Sequence, residues 1–283
     1  MSVSMLMKTP PMIKPTPDPG SSTLPTPKPL KAKTESFLVE VFSAIQGEGP
    51  IVGTRQIFIR YLGCHIQCAY CDTPATHTKQ RQCRVEKTPG IRDFEPLANP
   101  VAHSDLMAAI DQLESFEGLH DSISITGGEP LQHLRSLKGL IPLLKPRFQL
   151  YLETDGILHQ ALAQVADDFQ WIGMDMKLPS ATGLQPYWEE HKQFLKIAAQ
   201  SQSEVFVKLV VSQKTPAEEI QQAIDIVAAE DPGILLVIQP VTPYGIVRHP
   251  PTPEQILQWQ TLAKQKLHHV RVIPQTHKMM GQI

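Results

Sequence analysis

QIFIRYLGCHIQCAYCDT, residues 56–73, runs a short apolar segment straight into a cluster of cysteines. Its first half is rich in β-branched and aromatic residues, as buried strands are, and Gly63 ends it. The cysteines follow as Cys64-x3-Cys68-x2-Cys71, three of the four in the chain; Cys83 stands outside the cluster. A strand that hands thiols to the loop at its carboxyl end predicts a site on the loop edge of an α/β sheet, where ligands of such sheets bind.

Outward from this stretch the rhythm repeats. FLVEVFSAI precedes it, and SISITGG, QLYLETDG, WIGMDMKL, VFVKLVVS, ILLVIQPV and VRVIPQTH follow. These runs alternate with helical segments, which implies a mainly parallel sheet with helices outside it. Two helices carry start signals. In TPAEEIQQAIDIVA, Thr215 reads as the N-cap, Pro216 as the first helical residue and Glu218 as the partner in a capping box. TPEQILQWQTLAKQ repeats this with Thr252, Pro253 and Gln255. The stretch 76–103 has few apolar residues and no such rhythm, and reads as a loop insertion holding Cys83. Residues 1–35 are rich in Pro, Thr and Lys without periodicity, and read as a disordered tail rather than a transit peptide. The domain is therefore 36–283.

The composition narrows the class. Of 283 residues 41% are hydrophobic, enough for a sizeable core, and the net charge is −2. Neither a nucleic-acid nor a membrane partner is expected from that balance. No run approaches a membrane span, and the N-terminus lacks the apolar core of a secretory signal. A cytoplasmic setting is expected, and reduced, clustered cysteines there indicate metal or catalysis. Three chemistries suit the cluster. Zinc would take a fourth ligand from His65, His77 or Cys83. Thiol redox would use the pair Cys68 and Cys71. An iron–sulfur cube held by three thiolates keeps one iron open for a substrate or cofactor.

Polar segments close the other strands: QGEG the first, GGEP the third, then ETDG, DMKLP and QTHK. Their coincidence at strand ends predicts one built site. In TGGEP, Gly127 and Gly128 allow backbone to approach a ligand, and Glu129 is placed to face an ammonium group.

CHIQCAYC followed by TGGEP resembles the radical S-adenosylmethionine (SAM) superfamily. SAIQGEGPIVGTRQIFIRYLGCHIQCAYCDT, with TGGEP, ETDG, a lysine-bearing fourth loop and QTHK, resembles more narrowly the 7-carboxy-7-deazaguanine synthase family, over about residues 37–279. The resemblance implies an α/β fold, a partial (open) TIM-like βα barrel of the radical SAM type. It implies a lyase that converts 6-carboxy-5,6,7,8-tetrahydropterin to 7-carboxy-7-deazaguanine with loss of ammonia, in queuosine or 7-deazapurine biosynthesis. Hydrogen abstraction at C6 would precede ring contraction, with SAM regenerated. The implied cofactors are one [4Fe–4S] cluster, SAM and Mg2+; the implied partners are a reductant such as flavodoxin or ferredoxin and a second copy in a homodimer.

Carried over by position, Cys64, Cys68 and Cys71 would hold the cluster and Thr73 the magnesium. Tyr70, Asp72, Gly128, Glu129, Asp175, Met176, Lys177, Gln275, Thr276, His277 and Lys278 would bind SAM. Ile45, Gln46, Gly47, Arg60 and Thr126 would bind the pterin, with Arg60 on its carboxylate. An ordinary strand-end ion pair is the competing reading of Arg60. Cys83 would be a free thiol, since a fourth thiolate would block the open iron. The chain departs from the family at Asp155, where serine is usual, in its longer tail, and in its MMGQI ending. A glycyl-radical-enzyme activase or a zinc-binding module are the alternatives.

Overall fold

Every one of the eight apolar runs forms a strand in the computed structural model, which describes residues 31–244 and 246–282. In chain order the strands are β1 (Glu35–Ser36), β2 (Leu38–Ile45), β3 (Arg55–Tyr61), β4 (Gln82–Glu86), β5 (Phe94–Ala98), β6 (Val101–Ala102), β7 (Ser122–Gly127), β8 (Leu150–Thr154), β9 (Trp171–Asp175), β10 (Glu204–Val211), β11 (Leu235–Pro240) and β12 (Val270–Val272). Ten of them make one sheet in the order β12-β11-β10-β9-β8-β7-β3-β2-β4-β5. From β3 to β12 all neighbours are parallel, whereas β2 runs antiparallel to β3. The two ends of the sheet do not meet, so the barrel stays open.

Alternation along the strands sorts the two faces. Ile57, Ile59, Ile123, Ile125, Leu152, Ile172, Val207, Leu209 and Ile238 all point into one core with helical residues such as Leu106, Leu137, Phe194, Ile220 and Trp259. The helices His103–Leu113, Leu134–Leu144, Trp188–Gln200, Ala217–Glu230 and Pro253–Lys264 supply that outer layer. The opposite, inner face carries the polar residues described below.

Three expectations need correction. The stretch 76–103 is not a structureless loop: β4 and β5 pair antiparallel, and β4 adds to the edge of the sheet beside β2. Its strands are poor in apolar residues because this edge pair buries few side chains, Cys83 and Glu86 of β4 and none of β5. Cys83 is fully buried and sits in the main core, while Arg84 next to it is exposed. Second, residues 1–30 of the expected tail lie outside the described residues, and order begins before residue 36: Lys33 N–H donates to Arg135 O at 2.8 Å and Glu35 pairs with Ala102. Third, only one capping box forms. Thr252 accepts from Gln255 N–H while the Gln255 side chain accepts from Thr252 N–H, with Pro253 at the first position. Thr215 instead accepts from Ser212 N–H at 3.0 Å, and Pro216 takes the N-cap place with no side-chain cap. Thr215 thus stands one residue before the N-cap, where its hydroxyl serves the preceding turn rather than the helix.

Candidate active site

Inner-face side chains of β3 and β7 to β11 surround a cavity of about 510 Å3. That volume is within the range of small-molecule and cofactor sites. Its polar lining includes Arg60, Thr126, Glu153, Asp175, Lys208 and Gln239, one from each of six successive strands.

Cys64, Cys68 and Cys71 line one wall of this cavity. The end of β7 holds their loop closely. Gly128 N–H donates to Tyr61 O at 3.1 Å and Glu129 N–H to Gly63 O at 2.8 Å. A Cβ on Gly128 would stand 2.1 Å from Gly63 O and 2.9 Å from Cys64 Cβ, so only glycine allows this approach. Burial pushes the Cys64 thiol up to about 12 and also raises Cys68. In that apolar setting a thiolate needs cationic partners, which iron provides. Among the described residues no three His, Cys, Asp or Glu side chains converge tightly enough for a single metal ion. Three thiols arranged around a shared space fit a multi-iron cluster, and Cys83, in the core under β4, is not among them. His65, inside the loop, pairs with Asp155 Oδ2 at 2.6 Å. The departure at Asp155 thus has a partner in the cysteine loop.

A charged chain runs from the cysteine loop along the inner face. Lys208 contacts both Glu48 and Asp175, and Lys177 Nζ lies 2.9 Å from Asp175. Lys177 also donates to the Tyr70 hydroxyl at 3.3 Å. Burial alone would raise the Glu48 carboxyl, but Lys208 and then Gln275 hold it at about 2. Burial likewise opposes charge on Asp175, and Lys177 with Lys208 outweighs it, keeping its pKa below the usual value. The lysines respond in the opposite sense: burial would lower both, and the carboxylates beside them hold them above the ordinary lysine range. All four groups therefore stay charged. Behind this wall, fully buried His191 donates from Nδ1 to Gly156 O at 2.9 Å and accepts Lys177 N–H at Nε2 at 3.0 Å.

Glu153 stands at the centre of the inner face. It accepts from Gln46 Nε2 at 2.8 Å, Ser124 Oγ at 3.1 Å and Thr126 Oγ1 at 2.9 Å. Arg60 Nε donates to Glu40 at 2.9 Å, so the strand-end ion pair exists, yet Arg60 also lines the cavity. The C-terminal segment lies over one side. Gln275 donates to Glu48 at 2.7 Å, Thr276 N–H to Gly47 O at 3.0 Å, and Lys278 Nζ lies 2.7 Å from Asp72. Gly47 lets His277 pack directly on the backbone there: a Cβ would meet the ring at 2.2 Å.

Most of the residues expected at the site do line the cavity: Ile45, Gln46, Gly47, Arg60, Tyr70, Asp72, Thr73, Thr126, Gly128, Asp175, Lys177, Gln275, His277 and Lys278, with the three cysteines. Three do not. Glu129 is fully buried, and its carboxylate accepts Leu131 N–H, Thr154 Oγ1 and Asp155 N–H, so that it caps a turn at the end of β7. Met176 points outward into the helix-covered core, following strand alternation one step past Asp175. Thr276 spends its backbone and side chain on Gly47. QGEG also reaches the site by another route than expected. Because β2 is antiparallel to β3, the turn 46–54 lies at the amino end of the parallel strands and folds inward, placing Gly49 against Phe206.

Sequence reading passed over Glu48, Glu153, Lys208 and Gln239. A lysine in the middle of VFVKLVVS and a glutamate closing QLYLE were the available signals, since isolated charge in a buried strand requires a partner or a ligand. Gln239 is 2% exposed. Its Oε1, like Asp175 Oδ1, has no hydrogen-bond partner among the described residues.

Residues 45–169 match the family model described as a 4Fe-4S single cluster domain. The chain is 45% identical over 253 residues to 7-carboxy-7-deazaguanine synthase of Geobacter sulfurreducens, covering 89% of this chain and 100% of that one. It is 30% identical over 254 residues to the enzyme of the same name from Methanocaldococcus jannaschii, covering 86% and 99%. Among solved structures it resembles QueE from Escherichia coli, with a TM-score of 0.55 and 22% identity over 86% of this chain and 95% of that one. A radical SAM methyltransferase from Sphaerobacter thermophilus follows at TM-score 0.51 and 13% identity, covering 83% and 77%. At such identities the two structures speak for the fold, an open radical SAM barrel.

Proposed function

The chain belongs to the 7-carboxy-7-deazaguanine synthase family, and from that membership we propose that it is a radical SAM lyase converting 6-carboxy-5,6,7,8-tetrahydropterin to 7-carboxy-7-deazaguanine with release of ammonia. The observation that carries the reading is the meeting, in one cavity, of three thiols with an inner face of charged and amide groups suited to a small heterocycle.

Cys64, Cys68 and Cys71 would hold a [4Fe–4S] cluster. When bound, the cluster and SAM supply a one-electron cleavage and the hydrogen abstraction it enables. The protein's own part is binding, orientation and exclusion of water. Arg60 offers a planar guanidinium to the substrate carboxylate. Glu48 and Glu153, carboxylates on the inner face, accept N–H donors of the pterin, and Gln46 and Thr126 fix Glu153 in place. Asp175 Oδ1 and Gln239 Oε1 are buried acceptors without donors, a costly state that the hydroxyl and amino groups of SAM would relieve. Lys177 and Tyr70 border the same space, as do Asp72, Gln275, His277 and Lys278. Thr73 lines the cavity, its Oγ1 3.8 Å from Cys71 Sγ and making no cap hydrogen bond, and would ligate Mg2+, which accepts a single weak protein oxygen among waters and substrate atoms. A homodimer, a flavodoxin or ferredoxin as electron source, and a cytoplasmic setting belong to the same reading.

The test is anaerobic reconstitution with iron and sulfide, followed by SAM, reductant, Mg2+ and 6-carboxy-5,6,7,8-tetrahydropterin. Formation of 7-carboxy-7-deazaguanine, detected by mass, is expected. Release of 5′-deoxyadenosine without that product would assign the chain a different substrate.

A further inference from the structure

Glu40 lies on β2, one strand outward from Arg60, and is 4% exposed. Its register partners are Arg60 on the β3 side and Arg84 on the β4 side. Oε1 accepts from Arg60 Nε at 2.9 Å and Oε2 accepts from Arg84 Nη2. The three charges form a row across β3, β2 and β4. Arg60, with 12% of its side chain exposed, faces the cavity at one end, and Arg84, with 58% exposed, reaches solvent at the other. Each guanidinium lies over a ring: Arg60 over Phe42 at 5.8 Å and Arg84 over Phe94 at 4.7 Å. Phe42 in turn stacks on Phe58, centroids 5.1 Å apart.

A guanidinium has five N–H donors in a rigid fork. Among the described residues Arg60 makes its hydrogen bond through Nε alone, so the four terminal donors have no protein acceptor. An arginine held at Nε and resting on a stacked ring has lost most of its rotamer freedom, and its fork keeps one direction. The row holds two cations and one anion, so Glu40 does not cancel the positive charge it organises. Arg84, on the second oxygen, keeps the Glu40 carboxylate between the two arginines rather than wholly on Arg60.

We propose that Glu40 is a positioning residue for recognition of the substrate carboxylate: it holds Arg60 by Nε so that the terminal N–H pair is presented, ready-oriented, to that carboxylate. The proposal rests on the reading that Arg60 binds the substrate carboxylate. Two physical effects oppose each other here. A neighbouring anion weakens the pull of Arg60 on a second anion, while fixing the fork removes the ordering cost of a bidentate contact. Glu40 positions if the second effect wins.

The two are separated by measuring binding of pterin-6-carboxylate and of pterin itself to the reconstituted protein by fluorescence, in wild type, Glu40→Gln and Glu40→Ala at matched cluster content. Wild type should prefer the carboxylated ligand by about 10-fold or more, the scale of a hydrogen bond to a charged group. Glu40→Ala should lose most of that preference with pterin binding unchanged, and its KM for the tetrahydropterin substrate should rise about 10-fold with kcat within about twofold. Glu40→Gln, of the same shape and able to accept from Arg60 Nε, should fall between, and it keeps the test open if the alanine variant does not fold. The proposal is overturned if the variants keep the wild-type preference, bind the carboxylate more tightly, or lose both ligands alike. Absence of any preference in wild type would instead bring down the assignment of Arg60, and the proposal with it.

Discussion

On the outer side of β7, Ile123 and Ile125 are fully buried among helix side chains; on its inner side Ser122, Ser124 and Thr126 hydrogen-bond to Gln56 and Glu153. Every second residue of one strand thus belongs to a different chemistry. The outer face is held by apolar burial, roughly 25 cal/mol per Å2 removed from water, and the polar groups it holds are paired with one another, as the Tyr61 hydroxyl is with Ser36 and Ser136. The inner face is a polar network whose members satisfy one another and leave selected groups, Arg60 and Gln239 among them, with capacity to spare. Stability and function are separated by the period of two, and substitutions should separate with them.

The largest effect belongs to the cysteines. Cys68→Ala should abolish the broad absorbance of the reconstituted cluster and all product formation. Cys83→Ala, on the core side, should keep both and lose only stability, about 1 kcal/mol from denaturant midpoints. Loss of the cluster in the Cys83 variant would break the division between faces. Next, Ile125→Ala should cost about 3 kcal/mol of stability, while kcat per cluster stays within about twofold. Its inner counterpart Glu153→Gln should do the reverse, lowering kcat/KM about 100-fold with the urea midpoint little changed. If the two variants show the same balance of stability and activity, the comparison fails.

A smaller effect concerns His191, which bridges the faces. Burial depresses its pKa, and its neutral form is required because Nε2 accepts Lys177 N–H. The unfolded chain binds a proton near pH 6.5 that the fold resists. The contribution to stability is therefore full above about pH 6.5 and declines as pH falls below it towards the depressed value. Melting temperatures between about pH 7.5 and 5.5 should show this slope, and His191→Gln should flatten it. The smallest effect is at the surface: Thr252→Ala, which removes the one capping box described here, should cost about 1 kcal/mol in thermal unfolding without touching activity.

Much of this was legible in the chain. Strand positions follow from apolar runs, and the helix starting at Pro253 from its cap. The gathering of strand-end motifs around one cavity follows from the parallel topology those runs imply. The readings that failed did so for local reasons. Thr215 lies one residue before the N-cap, with its hydroxyl on Ser212 N–H, and caps nothing. β4 buries only Cys83 and Glu86, and β5 buries no residue fully, so their composition resembles a loop. Glu129 was legible as a carboxylate at a strand end, but its partners, Thr154 and two backbone N–H groups, were not.

The sequence alone determined the alternation of strands and helices, the three-thiol loop and the family, because these depend on periodicity and on motifs held within a few residues. Only the tertiary structure decided the direction of β2, the inward fold of the turn 46–54, and the partners of Glu40, Glu129 and Asp155. Those depend in part on contacts between distant residues, such as Arg60 with Glu40 and Gln275 with Glu48, and no local pattern encodes which distant group a buried charge will meet.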